Sequence, residues 1–234
     1  MDIQFSNLKK QYGDTTVLDI ENLTINQGEL VGLVGNNGAG KTTLMRLMLD
    51  LIEKTDGDVL IGGANVCETE QWKEWVGSFI DGSFLIEFYS PEEYFNFIAK
   101  AYHISEADLQ QRLAEFSAID GGEILGTNKL IKDFSQGNKQ KIGIIGAMIV
   151  TPKVLILDEP FNYLDPSSQI FVAKKIQQIC REQGTTVLIS SHNIQFVSDI
   201  CSRILLLEKG KVIKDIKPSN GDNVAEINAY FEQQ

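Results

Sequence analysis

Two stretches near the start of the chain alternate polar and apolar positions, IQFSNLKKQY over 3–12 and TTVLDIENLTI over 15–25. A period of two sends successive side chains to opposite faces, so both segments read as half-buried antiparallel strands. The next run, ELVGLVG over 29–35, is apolar throughout. That pattern suits a strand covered on both faces and predicts the start of a central sheet. GNNGAGKTT follows directly, and then LMRLMLDLI over 44–52, whose apolar positions recur at helical spacing. The predicted order is strand, glycine loop, helix.

Further strands are predicted at DVLIGG and VGSFI. Two helix starts follow, Ser90-Pro91-Glu92-Glu93 and Ser105-Glu106-Ala107-Asp108. Each sets a hydroxyl at the N-cap and an acid three residues on, a pair able to satisfy orphan backbone donors. A helix is predicted from Gln136 to Val150, closed by Thr151-Pro152. The strand VLILD comes next, then the helix SSQIFVAKKIQQICREQ ending at Gly184, the strand TTVLIS and a short helix near Ile194. A hairpin, RILLLEKGKVIKDI, turns at Lys209-Gly210. Apolar strands alternating with helices imply an α/β fold with a parallel-sheet core and helices on both faces. The N-terminal strands form an antiparallel β-subdomain, and residues 82–138 an inserted α-helical subdomain.

Composition narrows the function. With 234 residues, 43% of them hydrophobic and 23% charged, the chain suits one large core, alone or with a small appended subdomain. A formal net charge of −11 argues against neutralising nucleic-acid phosphates, so nucleic acid is not an expected partner. The longest nearly apolar run, Ile142 to Val150, is about half of what a membrane-spanning helix needs. The opening MDIQFSNLKK lacks the apolar segment of a signal peptide, so the chain is expected to be soluble and to stay where it is made. Cys67, Cys180 and Cys201 are widely spaced, with no CxxC or Cys/His cluster, and are expected to be buried thiols in a reducing compartment.

Two motifs carry chemistry. Gly35-Asn36-Asn37-Gly38-Ala39-Gly40-Lys41-Thr42 matches GxxxxGK[ST], a match that arises by chance in a chain this long on the order of once in a hundred. Between a buried strand and a helix, such a loop turns its N–H groups inward around phosphate oxygens, and the helix dipole adds positive potential. Lys41 would reach the β- and γ-phosphates of a bound nucleotide, Thr42 would hold Mg²⁺ through its hydroxyl, and Thr43 extends the set. The second motif is Val154-Leu155-Ile156-Leu157-Asp158-Glu159, an apolar strand ending in two acids, where open α/β sheets bind ligands. Asp158 is expected on the metal. Glu159 is expected to orient or deprotonate the attacking water.

The ordered set of motifs across nearly the whole chain resembles the ABC ATPase family. Phe134-Ser135-Gln136-Gly137-Asn138 stands where that family has its LSGGQ signature, followed by Lys139-Gln140-Lys141. LILDEP, then Asn162-Tyr163-Leu164-Asp165 at the D-loop position and Ser190-Ser191-His192 at the switch-histidine position complete the series. The resemblance implies a P-loop NTPase core of the RecA-like type. It divides the chain into a nucleotide-binding core with its antiparallel β-subdomain (1–81 and 139–234) and a helical subdomain carrying the signature (82–138). By the same resemblance, Ser135 and Gly137 would bind the γ-phosphate of nucleotide held mainly by an opposing subunit, which makes the working unit a head-to-tail ATP sandwich. His192 would contact the γ-phosphate and Glu159, Tyr12 would stack on adenine, and Asp165 would help to join the two cassettes.

Three positions depart from the family pattern. Gln136 and Asn138 replace the usual glycine and glutamine of the signature, a variation that resembles single-cassette subunits of exporter-like systems. Asp81 stands at the Q-loop position, where it is expected to bind Mg²⁺ or water in place of glutamine. Phe84, Phe88, Tyr89, Tyr94, Phe95, Phe97 and Tyr102 lie in the segment that, in the family, forms the groove for a coupling helix of the membrane subunit. The resemblance implies an ATP- and Mg²⁺-dependent motor subunit of a membrane transporter. It would be cytoplasmic, bound to the inner face of the membrane only through a separate transmembrane permease, and paired with a second cassette. The same motifs also suit a soluble non-transport ABC ATPase acting in assembly or repair.

Overall fold

In a computed structural model that describes residues 1–217, the two alternating segments form β1 (Ile3–Tyr12) and β2 (Thr15–Ile25), paired antiparallel. The inward set of β1, beginning with Ile3, Phe5 and Leu8, is fully or almost fully buried. β1 also pairs with β4 (Asp56–Ile61), and β4 with the two-residue β5 (Ala64–Asn65), giving a four-stranded antiparallel sheet in the order β2-β1-β4-β5. The part of the expected core beyond residue 217 lies outside the described residues.

A second sheet holds β3 (Leu30–Val34), β6 (Val76–Phe79), β7 (Val154–Leu157), β8 (Thr186–Ser191), β9 (Arg203–Glu208) and β10 (Lys211–Ile216), in the order β10-β9-β3-β8-β7-β6. Every neighbouring pair is parallel except β10 with β9. The continuous apolar runs have the expected cause, because each face of this sheet is covered. Leu30 and Val34 of β3, with Leu155 and Leu157 of β7, enter one core; Val31 and Leu33, with Val154 and Ile156, enter the other, beneath the antiparallel sheet.

The helices are α1 (Lys41–Met48), α2 (Pro91–Ala101), α3 (Glu106–Ala114), α4 (Ser117–Asp120), α5 (Gln136–Ile149), α6 (Pro166–Gln183) and α7 (Ile194–Ile200). Ser90 caps α2 in a reciprocal box with Glu93, with Glu93 N–H donating to Ser90 Oγ at 3.2 Å and Ser90 N–H to Glu93 Oε2 at 2.8 Å. At α3 the box is incomplete. Asp108 accepts from the Ser105 hydroxyl at 2.7 Å rather than from its backbone.

Two expectations change. The helix predicted over 44–52 instead starts at Lys41 and stops at Met48. Asp50 takes a left-handed φ of 51°, and Leu51 N–H reaches back to Arg46 O at 2.9 Å, a closing turn that periodicity does not reveal. The thiols also differ from a uniformly buried set. Cys201 is buried and Cys180 is half-buried, but Cys67 is exposed, because it lies just beyond the short edge strand β5, with Sγ 3.4 Å from Asp50 Oδ1.

Candidate functional site

Three neighbouring strands, β3, β8 and β7, deliver the chemistry to one edge of the parallel sheet. β3 runs into the glycine loop and α1; β7 ends at Asp158 and Glu159; β8 ends just before His192. A cavity of about 230 Å³ lies between these ends, lined by Val17, Asn37 to Thr43, Asp158 and Glu159.

The start of α1 is built differently from the other long helices. Ser90, Ser105, Ser135, Asp165 and Asn193 cap α2, α3, α5, α6 and α7 with a side-chain acceptor, whereas Gly40 at the N-cap of α1 offers none. The first-turn N–H groups therefore face the cavity without a built-in acceptor, a cradle that suits phosphate oxygens. Lys41 is buried, and its ammonium donates to Gly35 O at 2.6 Å and Asn36 O at 3.3 Å. That amine lies 3.9 Å from Glu159 Oε1, so opposite charges converge on the cavity.

Thr42 Oγ1 donates to Asp158 Oδ2 at 2.5 Å, bringing together the two expected metal-holding groups. Among the described residues no cluster of three or more His, Cys, Asp and Glu could hold a metal by itself. One hydroxyl and one carboxylate beside a phosphate cradle suit Mg²⁺, which commonly takes few protein ligands and completes its shell from substrate phosphates and water.

Glu159 is held from four directions. Its N–H donates to Ser190 Oγ at 2.8 Å, its carbonyl accepts from Gln140 Nε2 at 3.1 Å, and His192 Nδ1 lies 2.9 Å from Oε2. Ser190 in turn donates to Asp158 Oδ1. The fourth constraint is the backbone, whose φ of 46° at Glu159 is left-handed in a residue other than glycine. Such strain persists only where the surroundings over-determine it. Ser190 and Gln140 have positional duties that motif reading misses. The available signal was their place in the motifs, Ser190 two residues before His192 and Gln140 just after the signature, which does not say what either side chain meets.

The remaining expected residues lie apart from this cavity. Tyr12 is 55% exposed at the end of β1, with the Lys10 ammonium 4.6 Å above its ring, and Val17 rather than Tyr12 lines the cavity. Ser135 caps α5, accepting from Asn138 N–H at 3.2 Å, and neither it nor Gly137 lines the cavity. A Cβ on Gly137 would stand 2.6 Å from Tyr163 O, so the glycine lets the 159–165 loop rest on the start of α5. Asp165 caps α6 and meets Lys141 at 3.7 Å. Hydrogen bonds from Ser167, then from the Ser168 hydroxyl and N–H, hold its carboxyl below the ordinary range.

Asp81, expected at the metal, also does not line the cavity. It caps a 3₁₀ turn over Gly82–Phe84 and meets Arg46 Nη2 at 3.2 Å. Burial pushes its carboxyl up, but hydrogen bonds from Ser83 and then Arg46 outweigh that and hold it low. Nearby, Leu49, Trp72, Phe79, Phe84, Tyr94 and Tyr102 line an apolar groove of about 310 Å³. The aromatic run therefore divides. Phe95 is core, Tyr94 is buried enough for its phenol to be pushed up to about 12, and Phe84, Phe88 and Phe97 are exposed.

A glycine loop feeding an uncapped helix, a Thr–Asp pair for a metal and a Glu–His pair for a water define a P-loop nucleoside-triphosphate hydrolase. A family model described as ABC transporter matches residues 18–162, more than half of the chain. The chain is 34% identical over 223 residues to the bacitracin transport ATP-binding protein BcrA of Enterococcus faecalis, covering 93% of the chain and 70% of BcrA. It is 32% identical over 225 residues to the lantibiotic transport ATP-binding protein SrtF of Streptococcus pyogenes, covering 96% of the chain and 95% of SrtF. A solved structure of an ATP-binding subunit of an ABC transporter shares the fold with a TM-score of 0.85 at 26% identity, covering 99% of this chain and 94% of that one. The chain belongs to the ABC transporter family, as an ATP-binding, ATP-hydrolysing cassette. Among the described residues no helix is long and apolar enough to cross a membrane.

Proposed function

We propose that this cassette drives a membrane transporter: two copies close on ATP, and closure moves a separate transmembrane permease seated in the apolar groove. In this reading residues 82–138 form the arm that presents Ser135 and Gly137 to a partner, while residues 1–81 and 139–234 form the nucleotide-binding core. The cassette would lie at the cytoplasmic face of the membrane and reach it only through the permease. The names of BcrA and SrtF, both ATP-binding proteins of transport systems, support transport over a soluble assembly role.

The observation that carries the hydrolytic reading is the convergence of Lys41, Thr42, Asp158, Glu159 and His192 at the ends of three adjacent strands. First-turn N–H groups of α1 and the Lys41 amine would bind the phosphates, and Lys41 can give up a loop carbonyl to do so. Thr42 and Asp158 would hold Mg²⁺, which when bound neutralises charge on the phosphate oxygens. His192 orients Glu159, and Glu159 takes a proton from water as the water oxygen bonds to the γ-phosphorus. The bond from phosphorus to the β,γ-bridging oxygen breaks, and the electron pair leaves with ADP. Tyr12, at the rim, would cover the adenine.

Ser135 and Gly137 stand apart from their own chain's cavity, which supports completion of each site by a second copy. The test is Glu159→Gln with ATP and Mg²⁺ in sedimentation velocity. A stable dimer dependent on ATP is expected; a monomer at every ATP concentration would count against the sandwich. Recovery of the tagged chain with an integral membrane protein tests the permease, and its recovery alone from its own membranes would count against transport.

A further inference from the structure

Arg46 lies in the last turn of α1, the helix that starts with Lys41 and Thr42. Its Nη2 meets Asp81 Oδ2 at 3.2 Å, whereas its Nε is buried and, among the described residues, has no hydrogen-bond partner. The other oxygen of Asp81 accepts the Ser83 N–H at 2.7 Å and also the Ser83 hydroxyl. A guanidinium offers Nε and one Nη as a fork matched to both oxygens of a carboxylate. Only one prong is used here, and the buried second prong is left with an uncompensated loss of solvation. The same carboxylate could satisfy that prong only by turning Oδ1 away from Ser83.

We propose that Arg46 and Asp81 form a two-position latch that positions the phosphate-binding helix, with Asp81 acting as a positioning residue rather than a metal ligand. In the position seen, Asp81 caps the 3₁₀ turn and holds Arg46 by one prong. In the other it pairs with both Nε and Nη2 and releases Ser83. The turn, which then keeps only its backbone bonds from Phe84 N–H to Asp81 O at 3.3 Å and Leu85 N–H to Gly82 O at 3.2 Å, carries Phe84, half exposed at the apolar groove beside Leu49 and Leu51, just beyond α1. Asp81 also follows β6, where Phe79 O accepts the Asp158 N–H at 2.9 Å. Contact at Phe84 therefore biases the latch, and the latch biases both α1 and the strand end that sets Asp158. Both side chains are about two-fifths exposed (41% and 39%), so the pair is too weak to serve as a main support of the fold and is weak enough to exchange.

The inference rests on the hydrolytic site proposed above. The experiment is steady-state ATPase kinetics with an Mg²⁺ titration on the full chain, on Arg46→Gln, Arg46→Lys, Asp81→Asn and Ser83→Ala, and on the combined variants Arg46→Gln/Asp81→Asn and Arg46→Gln/Ser83→Ala. Arg46→Gln and Asp81→Asn should each lower kcat about two- to fivefold, with KM for ATP within about twofold and an unshifted Mg²⁺ requirement. Arg46→Gln/Asp81→Asn should be no slower than the slower single one. Arg46→Lys, which lacks the Nε prong, should behave as Arg46→Gln, and Ser83→Ala should alter kcat only while Arg46 is present. Additive effects of the two single variants would overturn the latch, as would wild-type kcat in Arg46→Lys. A raised Mg²⁺ requirement in Asp81→Asn but not in Arg46→Gln would make Asp81 a metal ligand instead. The pairing is also read by amide hydrogen exchange of the 82–84 turn and the last turn of α1, which should quicken alike in Arg46→Gln, Arg46→Lys and Asp81→Asn; an inert unsubstituted chain would tell against the hydrolytic site, while unchanged exchange in these variants would overturn the latch.

Discussion

At the scale of single residues, Glu159 is constrained at every group: a left-handed backbone, a serine on its amide, a glutamine on its carbonyl and a histidine on its carboxylate. Glu159→Gln keeps the shape but removes the proton acceptor. Its ATPase rate should fall by about a hundredfold or more while ATP affinity is retained, a split that turnover assays with calorimetry would read. Lys41→Ala removes a buried ammonium that faces the cavity. Its ATP affinity should weaken roughly tenfold to a hundredfold, the usual range for a hydrogen bond to a charged group; unchanged affinity would show that the backbone cradle suffices. These residues were legible in the sequence because motif spacing reports chain order. Ser190 and Gln140 were less so, because their roles depend on which strand lies beside which.

At the scale of elements, the contact between α5 and β6 depends on Gly143, where an added Cβ would fall 2.1 Å from the Phe79 ring. Gly143→Ala should gain about 1 kcal/mol of helix propensity but lose about 1–3 kcal/mol to overpacking, for a small net destabilisation measurable by urea unfolding. Arg203 on β9 joins several elements, donating to Thr24 O at 2.7 Å, Glu29 at 2.8 Å and Asp215 at 2.6 Å. Replacing it with methionine leaves the half-buried Glu29 with only the exposed Lys217 ammonium at 3.8 Å and frees Thr24 O, and should cost about 1–3 kcal/mol. Burial raises the Glu29 carboxyl, but hydrogen bonds from Asn26 and Arg203 outweigh that and hold it below its ordinary 4.5. A lowered folded value means this contribution is present above pH 4.5 and is lost as pH falls through the lowered value. Unfolding below that pH should therefore show a shallower acid loss in Arg203→Met than in the unsubstituted chain. Element types followed from periodicity, but ends did not: α1 stops at Met48 because Asp50 turns left-handed, while the apolar spacing continues to Ile52.

At the scale of the whole molecule, each copy carries a formal net charge of −11. Two like-charged cassettes repel through solution, and salt screens the repulsion over about 10 Å at 0.1 M. The ATP-dependent dimer of Glu159→Gln should therefore tighten as ionic strength rises from about 0.01 to 0.15 M, checked by sedimentation equilibrium; weakening with salt would mean that local charge pairs outweigh the overall field. The sequence by itself determined the fold class, the phosphate loop and the carboxylate pair, because hydrophobic period and motif spacing are local properties of a chain. Tertiary structure alone decided that β8 lies between β3 and β7, which brings Ser190 and His192 to Asp158 and Glu159. It alone decided that Asp81 faces Arg46 and that Cys67 is exposed. Those outcomes depend on which segments distant in the chain become neighbours, and that is fixed by packing across the sheet rather than by any short stretch of residues.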